Sequence, residues 1–320
     1  MDTAAAPRKR FDPVAYLKLF RFPLVFTAIA DSAAGYLICS GAYEIRTRTL
    51  ACLAIASSGL YFFGMALNDI ADRARDKEIA PTRVLPSGRL SVTSAKVAAF
   101  LVLWCSLGAT LAVLGTPILQ RAVTWGAVVL FIAAYNLFLK VPPVMGLVRA
   151  SNLLLGVAAA RRIEFDIAGQ PWQYLMMAVP ALVYVSALTY VSTLEDVGPA
   201  RLKLAVGAIF MGVGAALAAI AGPAVQALVY FVPAGDAFKE WAGQSWSIGF
   251  SLALIIHVVQ RALRATDRKG VMLLVRDGVG GIILLDAALL ASFGDKIQAT
   301  LLTLLVIPAA LSVALVKRLA

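Results

Sequence analysis

The feature that most constrains this chain is a succession of apolar runs, each about 20 residues long and so able to cross a bilayer as a helix. They fall near 13–40, 48–68, 94–114, 121–140, 143–160, 174–195, 203–222, 246–264, 270–292 and 297–317. With 61% hydrophobic and 15% charged residues among 320, the chain carries more apolar side chain than one water-soluble core accommodates. Hydrocarbon offers a backbone no hydrogen bonds, so runs of this length are helices and not loops or open strands. The expected fold is all-α: one integral membrane domain over 1–320, a bundle of about nine to ten transmembrane helices. The 143–160 run is short for a span, and the pair flanking 264–270 reads either as two spans or as one long bent helix plus another.

A net charge of +11 would suggest nucleic acid in a soluble protein, but here the distribution of charge carries the information. With the N-terminus in the cytoplasm, most of the 29 basic residues fall on the cytoplasmic side, and Arg46, Arg48, Arg121, Arg161, Arg162, Lys239 and Lys296 are the exceptions. The positive-inside rule therefore places both termini in the cytoplasm, with residues 1–12 as a short tail and no nucleic-acid partner. Cys39, Cys52 and Cys105 stand singly without metal or disulfide spacing, and His257 is a lone histidine; packing accounts for all four.

The chemistry concentrates where the second run ends. From Asn68 the chain passes abruptly from apolar to densely charged, with Asp69, Asp72, Asp76 and Glu78 interleaved with Arg73, Arg75 and Lys77. Positions 68, 72 and 76 lie four apart and 69 and 72 three apart, so one helical face stacks an amide and three carboxylates. Like charges at that spacing repel, and an all-oxygen set suits magnesium, which takes its other ligands from water and phosphate. The plainer alternative is a solvated, salt-bridged helix end. Residues 80–89 form a loop punctuated by Pro81, Pro86 and Gly88, in which Arg83 and Arg89 are placed to donate to phosphate oxygens or to act as ordinary interfacial charges. Residues 69–93 thus read as an acidic helix end and loop on the cytoplasmic side.

Asn68, Asp69, Asp72 and Asp76 match the pattern NDxxDxxxD, and with the proline, arginine and PSG sequence that follows, the chain resembles the UbiA superfamily of intramembrane prenyltransferases. The stretch Arg149 to Gly156 and Asp286 are similar to its EboC-like branch. The resemblance implies a helical bundle with a lipid-open central chamber. It implies that Asn68, Asp69, Asp72 and Asp76 hold magnesium and, through it, the diphosphate of an isoprenoid donor, with Asn68 also in the diphosphate site. It further implies a hydrophobic acceptor, small and aromatic or lipid-like, in a setting of membrane lipid.

The family's second acidic motif is incomplete here, because Asp196 has a counterpart but Pro199 stands where the next carboxylate belongs. Glu195 and Asp196 are adjacent, so a continuous helix points them about 100° apart and leaves Asp196 for a metal, whereas a turn ending at Gly198 and Pro199 aims both inward. Either residue is a candidate catalytic group, Asp196 as a second metal ligand or as the base that deprotonates the acceptor. Lys140, Arg201 and Lys203 at helix ends are candidate diphosphate ligands beside Arg83, with headgroup anchoring as the default for any one of them. Arg149 and Asn152 share a helical face and are expected to line the chamber, together with the rings of Tyr135 and Tyr190. Asp31 and Asp286 lie within apolar runs, where Arg21, Arg149 or each other's helix offers a partner. The expected function is magnesium-dependent prenyl transfer. A terpene cyclase of the same architecture and a non-catalytic isoprenoid carrier are the alternatives.

Overall fold

The structure is a computed structural model that describes residues 12–40, 45–160, 172–229, 233–236, 239 and 245–318, and among these every regular element is a helix. The tail expected over 1–12 and the charges Arg161 and Arg162 lie outside the described residues, apart from Asp12.

A short amphipathic helix, α1 (Pro13–Leu19), starts at Asp12, whose carboxylate accepts the Ala15 N–H at 3.0 Å, with Pro13 in the first turn where no amide is needed. The chain then breaks at Arg21 and enters α2 (Val25–Ser40) through a 3₁₀ turn over Phe22–Leu24. α3 (Thr47–Ala71) is continued at an angle by α4 (Arg73–Ile79). α5 (Val92–Leu111), capped by Ser91, is followed by α6 (Ile118–Leu137) and α7 (Pro142–Ala158), which opens on two prolines. α8 (Trp172–Ser192), the single turn α9 (Leu194–Val197) and α10 (Arg201–Val229) form the next unit. α11 (Ser245–Arg264), α12 (Arg268–Gly280), α13 (Ile282–Ser292), α14 (Lys296–Thr303) and α15 (Val306–Arg318) complete the described chain.

Among the described residues, 8 helical segments are long and apolar enough to cross a membrane. Two of the expected runs are not among these segments. The 143–160 run is the 17-residue α7, and the 270–292 run is divided at Gly281 into α12 and α13. Hydropathy registers the apolar content of both runs but not the short length of the first or the glycine joint of the second.

α2 is the central helix, packed against α3, α7 and α13, while α7 also meets α6 and α8, and α10 closes the other side against α8, α11 and α13. Without water to drive helices together, close backbone approach supplies the packing. A Cβ on Gly156 would stand 1.9 Å from the Ser32 carbonyl oxygen and one on Gly35 would stand 2.1 Å from that of Leu153, so α2 and α7 touch backbone to backbone. Large apolar side chains such as Phe100, Trp104, Leu119, Leu130, Phe210 and Leu263 are exposed on the outside, the pattern of a lipid-facing surface.

Candidate active site

The acidic motif sits at one end of the bundle, the mouth, and each of its three aspartates is held by a base from a different segment. Arg21 Nη2 donates to Asp69 Oδ1 over a long 3.4 Å, Lys140 Nζ pairs with Asp72, and Arg83 Nη1 donates to both oxygens of Asp76 at 2.8 and 2.7 Å. The stack of carboxylates expected on one continuous face is interrupted, because Asp72 is the residue at which α3 ends and α4 begins. Among the described residues no three acidic, histidine or cysteine side chains converge as a ready metal cage. Asp76 is 2% exposed and both of its oxygens accept from Arg83, so it ties the 80–89 loop to α4. Burial works against the Arg83 charge, but the hydrogen bond and negative charge of Asp76 outweigh it, so the guanidinium is held above its ordinary pKa.

The second acidic segment resolves the choice left open between Glu195 and Asp196. Glu195 lines the central chamber, while Asp196 turns outward, half exposed, to pair with Arg75 and, at 3.6 Å, with Arg268 Nη2. Asp196 therefore stands outside the chamber and bridges the first motif to α12. Gly198, at φ 101°, reverses the chain after α9, and this carries Arg201 and Lys203 to exposed positions at the start of α10. Neither lines either of the two cavities at the mouth, and neither makes an ion pair among the described residues.

Two cavities meet at the mouth. The larger, about 270 Å³, is the central chamber; Asn68, Tyr135, Arg149 and Asn152 line it, and Leu60, Ile132, Val148, Leu188 and Val279 supply apolar wall. Tyr190 is not among the lining residues. The second, about 250 Å³, is a basic basin lined by Lys18, Arg21, Thr82, Arg83, Val84 and Arg89 beside Asp69. Arg21 belongs to both, and it is the one described non-glycine residue with positive φ, at φ 45° and ψ 48°. That conformation costs about 1–2 kcal/mol. The Tyr61 hydroxyl, which donates to the Arg21 carbonyl at 3.3 Å, helps to hold it. Sequence reasoning had given Arg21 only the roles of an interfacial charge or a partner for Asp31. The signal at hand was Pro23 two residues on, which breaks α1 and leaves Arg21 at a joint.

A family model described as the UbiA prenyltransferase family matches residues 25–276. The chain belongs to this family. A digeranylgeranylglyceryl phosphate synthase from Methanococcus maripaludis is 36% identical over 121 residues, a match spanning 34% of this chain and 42% of that relative's length. Among solved structures, a UbiA homologue from Aeropyrum pernix aligns over 85% of this chain and 96% of its own with a TM-score of 0.55 at 20% identity. A UbiA homologue from Archaeoglobus fulgidus, described as bound to GPP and Mg²⁺, aligns over 86% of this chain and 99% of its own, with a TM-score of 0.54 at 13% identity.

In this UbiA-family chain the donor set at the mouth fits magnesium. Asn68, Asp69 and Asp72 present only oxygen within little more than one helical turn, and the long contact to Arg21 leaves Asp69 lightly held. Magnesium that arrives with phosphates needs one or two carboxylates from the protein and no closed cage.

Deeper in the UbiA-family bundle lies a polar cluster. Arg149 Nη2 donates to Asp31 Oδ1 at 3.0 Å and to the Thr27 carbonyl at 2.8 Å, and its Nε lies 3.0 Å from Asp31 Oδ2. Asn152 Nδ2 donates to the Ala28 carbonyl at 2.8 Å and to Asp31 Oδ2 at 3.1 Å, while its Oδ1 accepts from Ser57 at 2.9 Å. Of the partners the sequence offered Asp31, Arg149 is the cation that pairs with it, and Asp286 of α13 lies beside it as well.

Proposed function

We propose that this protein binds an isoprenoid diphosphate with Mg²⁺ at the mouth of the bundle and transfers the prenyl group to a small hydrophobic acceptor, aromatic or lipid-like. The observation that carries the reading is the position of Arg21, which lines a basic basin on one side and a mostly apolar chamber on the other, beside Asp69. A molecule with a polyanionic head and an apolar tail is what two such joined cavities accommodate.

In this mechanism Asn68, Asp69 and Asp72 hold the metal, which when bound neutralises charge on the diphosphate oxygens. Lys18, Arg21, Arg83 and Arg89 stabilise the negative charge that grows on the diphosphate as its bond to the allylic carbon breaks. The apolar wall shields the allylic cation from water, and the Tyr135 ring offers it a π face. The acceptor forms the new bond to that carbon and gives up a proton, for which Glu195 is the carboxylate facing the chamber. The mouth and both termini face the cytoplasm in this reading, supported by the basic residues gathered at the mouth.

Diphosphate release by the purified protein in nanodiscs tests the proposal, with geranyl, farnesyl and geranylgeranyl diphosphates, magnesium or EDTA, and Asp72→Asn as control. Release that requires both magnesium and Asp72 supports the transferase. Metal-dependent binding without release from any donor and acceptor pair would favour the carrier, and a cyclic hydrocarbon formed without acceptor would favour the cyclase.

A further inference from the structure

A charged cluster that the mouth and the chamber do not use lies on the outside of the bundle, where α11 meets α12. Asp277 of α12 is at its centre. Its Oδ1 accepts from Arg276 Nε at 2.9 Å and lies 2.8 Å from Arg276 Nη2, and its Oδ2 lies 2.6 Å from Arg261 Nη2 of α11. His257 Nε2, one turn before Arg261, stands 3.8 Å from the same Oδ2, too far for a hydrogen bond.

The cluster sits at the level of the acyl chains. α11 is one of the segments long and apolar enough to span, and His257 lies about 10 Å inside its last residue, Arg264. α12 starts at the mouth, where Arg268 reaches Asp196, and Arg276 lies about 12 Å further along it. The exposed side chains that flank the cluster are apolar: Ile256 and Val259 on α11, and Met272 one turn before Arg276 on the same face of α12. The Arg276 side chain is 52% exposed, so its charge looks outward, onto lipid.

The charges here do not balance. One carboxylate faces two guanidiniums, and neither Arg261 nor Arg276 has a second acidic partner among the described residues. The sum is at least one positive charge, at a depth where an unbalanced charge is expensive. Arg261 already ties Asp277 across to α11, so Arg276 is the surplus base, with N–H groups left over on its outward side. A guanidinium fork suits phosphate oxygens, and a basic pocket between helices at this level is within reach of a headgroup.

We propose that α11 and α12 form a site for the phosphate of an anionic phospholipid, bound by Arg276 and Arg261, with its acyl chains along Ile256, Val259 and Met272. A lipid of net charge −1 cancels the surplus, whereas a zwitterionic lipid brings its own cation and leaves the sum unchanged. Asp277 is 15% exposed with both oxygens occupied, which leaves the outward face to the bases. Val275 and Val279 of the same helix line the chamber, so a lipid on the outer face of α12 braces one chamber wall.

The test is native mass spectrometry of the full chain in detergent, titrated with phosphatidylglycerol or phosphatidylcholine. Wild type should retain one more phosphatidylglycerol than Arg276→Gln, and that lipid should bind about tenfold more tightly than phosphatidylcholine, as two bases near a headgroup allow. Arg276→Lys, which keeps the charge, should regain it, and Lys203→Gln, which removes an exposed base elsewhere, should lose nothing. Millimolar inorganic phosphate should leave the lipid in place. An Arg276→Gln chain that retains as much phosphatidylglycerol as wild type would overturn the proposal. So would loss of both lipids together, which marks disturbed helices, or displacement by inorganic phosphate, which assigns the site to a soluble anion.

Discussion

Replacing Arg149 by methionine strands Asp31 inside the bundle. The substitution removes the 3.0 Å hydrogen bond to Asp31 Oδ1, the second nitrogen 3.0 Å from Oδ2 and the 2.8 Å bond to Thr27, leaving the carboxylate with Asn152 as its remaining donor. Asp31 is fully buried, so removing its cation costs about 3–5 kcal/mol, the usual penalty for breaking one half of a buried pair. Removing both halves costs far less, because apolar replacements of similar volume are often neutral or better. The double variant Arg149→Met, Asp31→Leu should therefore recover most of the loss. Asp286→Asn should stay within about 1 kcal/mol of wild type, since one guanidinium cannot balance two carboxylates in hydrocarbon and the amide mimics an uncharged acid. The assay is equilibrium unfolding by SDS in mixed micelles at fixed detergent composition. A single variant as stable as wild type, or a double variant no better than the single, would refute the argument that the pair is held by mutual neutralisation.

Gly156→Ala should cost about 1–3 kcal/mol or more in the same assay, because the added methyl would meet the Ser32 carbonyl at 1.9 Å and force α2 from α7. Arg21→Gly should raise stability by about 1 kcal/mol through relief of the left-handed conformation, yet weaken binding of an isoprenoid thiolodiphosphate; a variant less stable than wild type would contradict the strain. The Asp12 carboxyl is held below the usual carboxylate range, first by its hydrogen bond from Arg89. A depressed folded-state pKa gives a contribution that is present above the unfolded value and lost only as pH falls through the folded one. Spin labels on α1 and the 80–89 loop should therefore report an unchanged separation from neutral pH through the ordinary carboxylate range and a change only in stronger acid, while in Arg89→Ala, which has no such tie to lose, that acid-induced change should be absent.

The helices were legible because each apolar run is long and the bilayer forbids alternatives. The joint at Gly281 was not, since it lies in an unbroken apolar run and a window of hydropathy is blind to backbone direction. The acidic motif stood out through its charge density at the end of a span. Its partners did not: Arg21 and Lys140 reach their aspartates across 48 and 68 residues of sequence, and Arg75 of the motif reaches Asp196 across 121. The same limit explains Arg201 and Lys203, whose position after a span suggested the mouth until Gly198 turned them away. It also explains why the sequence left the directions of Glu195 and Asp196 open, because direction around a single terminal turn is set by what packs beside it.

The pairing of Asp69, Asp72 and Asp76 with Arg21, Lys140 and Arg83 has a consequence for how a donor enters. Each of these aspartates already has its base, so an anion alone would take a base from its aspartate and a divalent cation alone would take an aspartate from its base, and either would leave a charge without its partner. Arriving together, the two permit a double displacement in which Arg21 and Lys140 turn to the phosphates while Asp69 and Asp72 turn to the cation, so that none of the four is left unpaired. Entry is then a trade of partners that requires both newcomers at once. That makes the salt bridges of the resting mouth a coincidence detector for the complete metal–diphosphate complex.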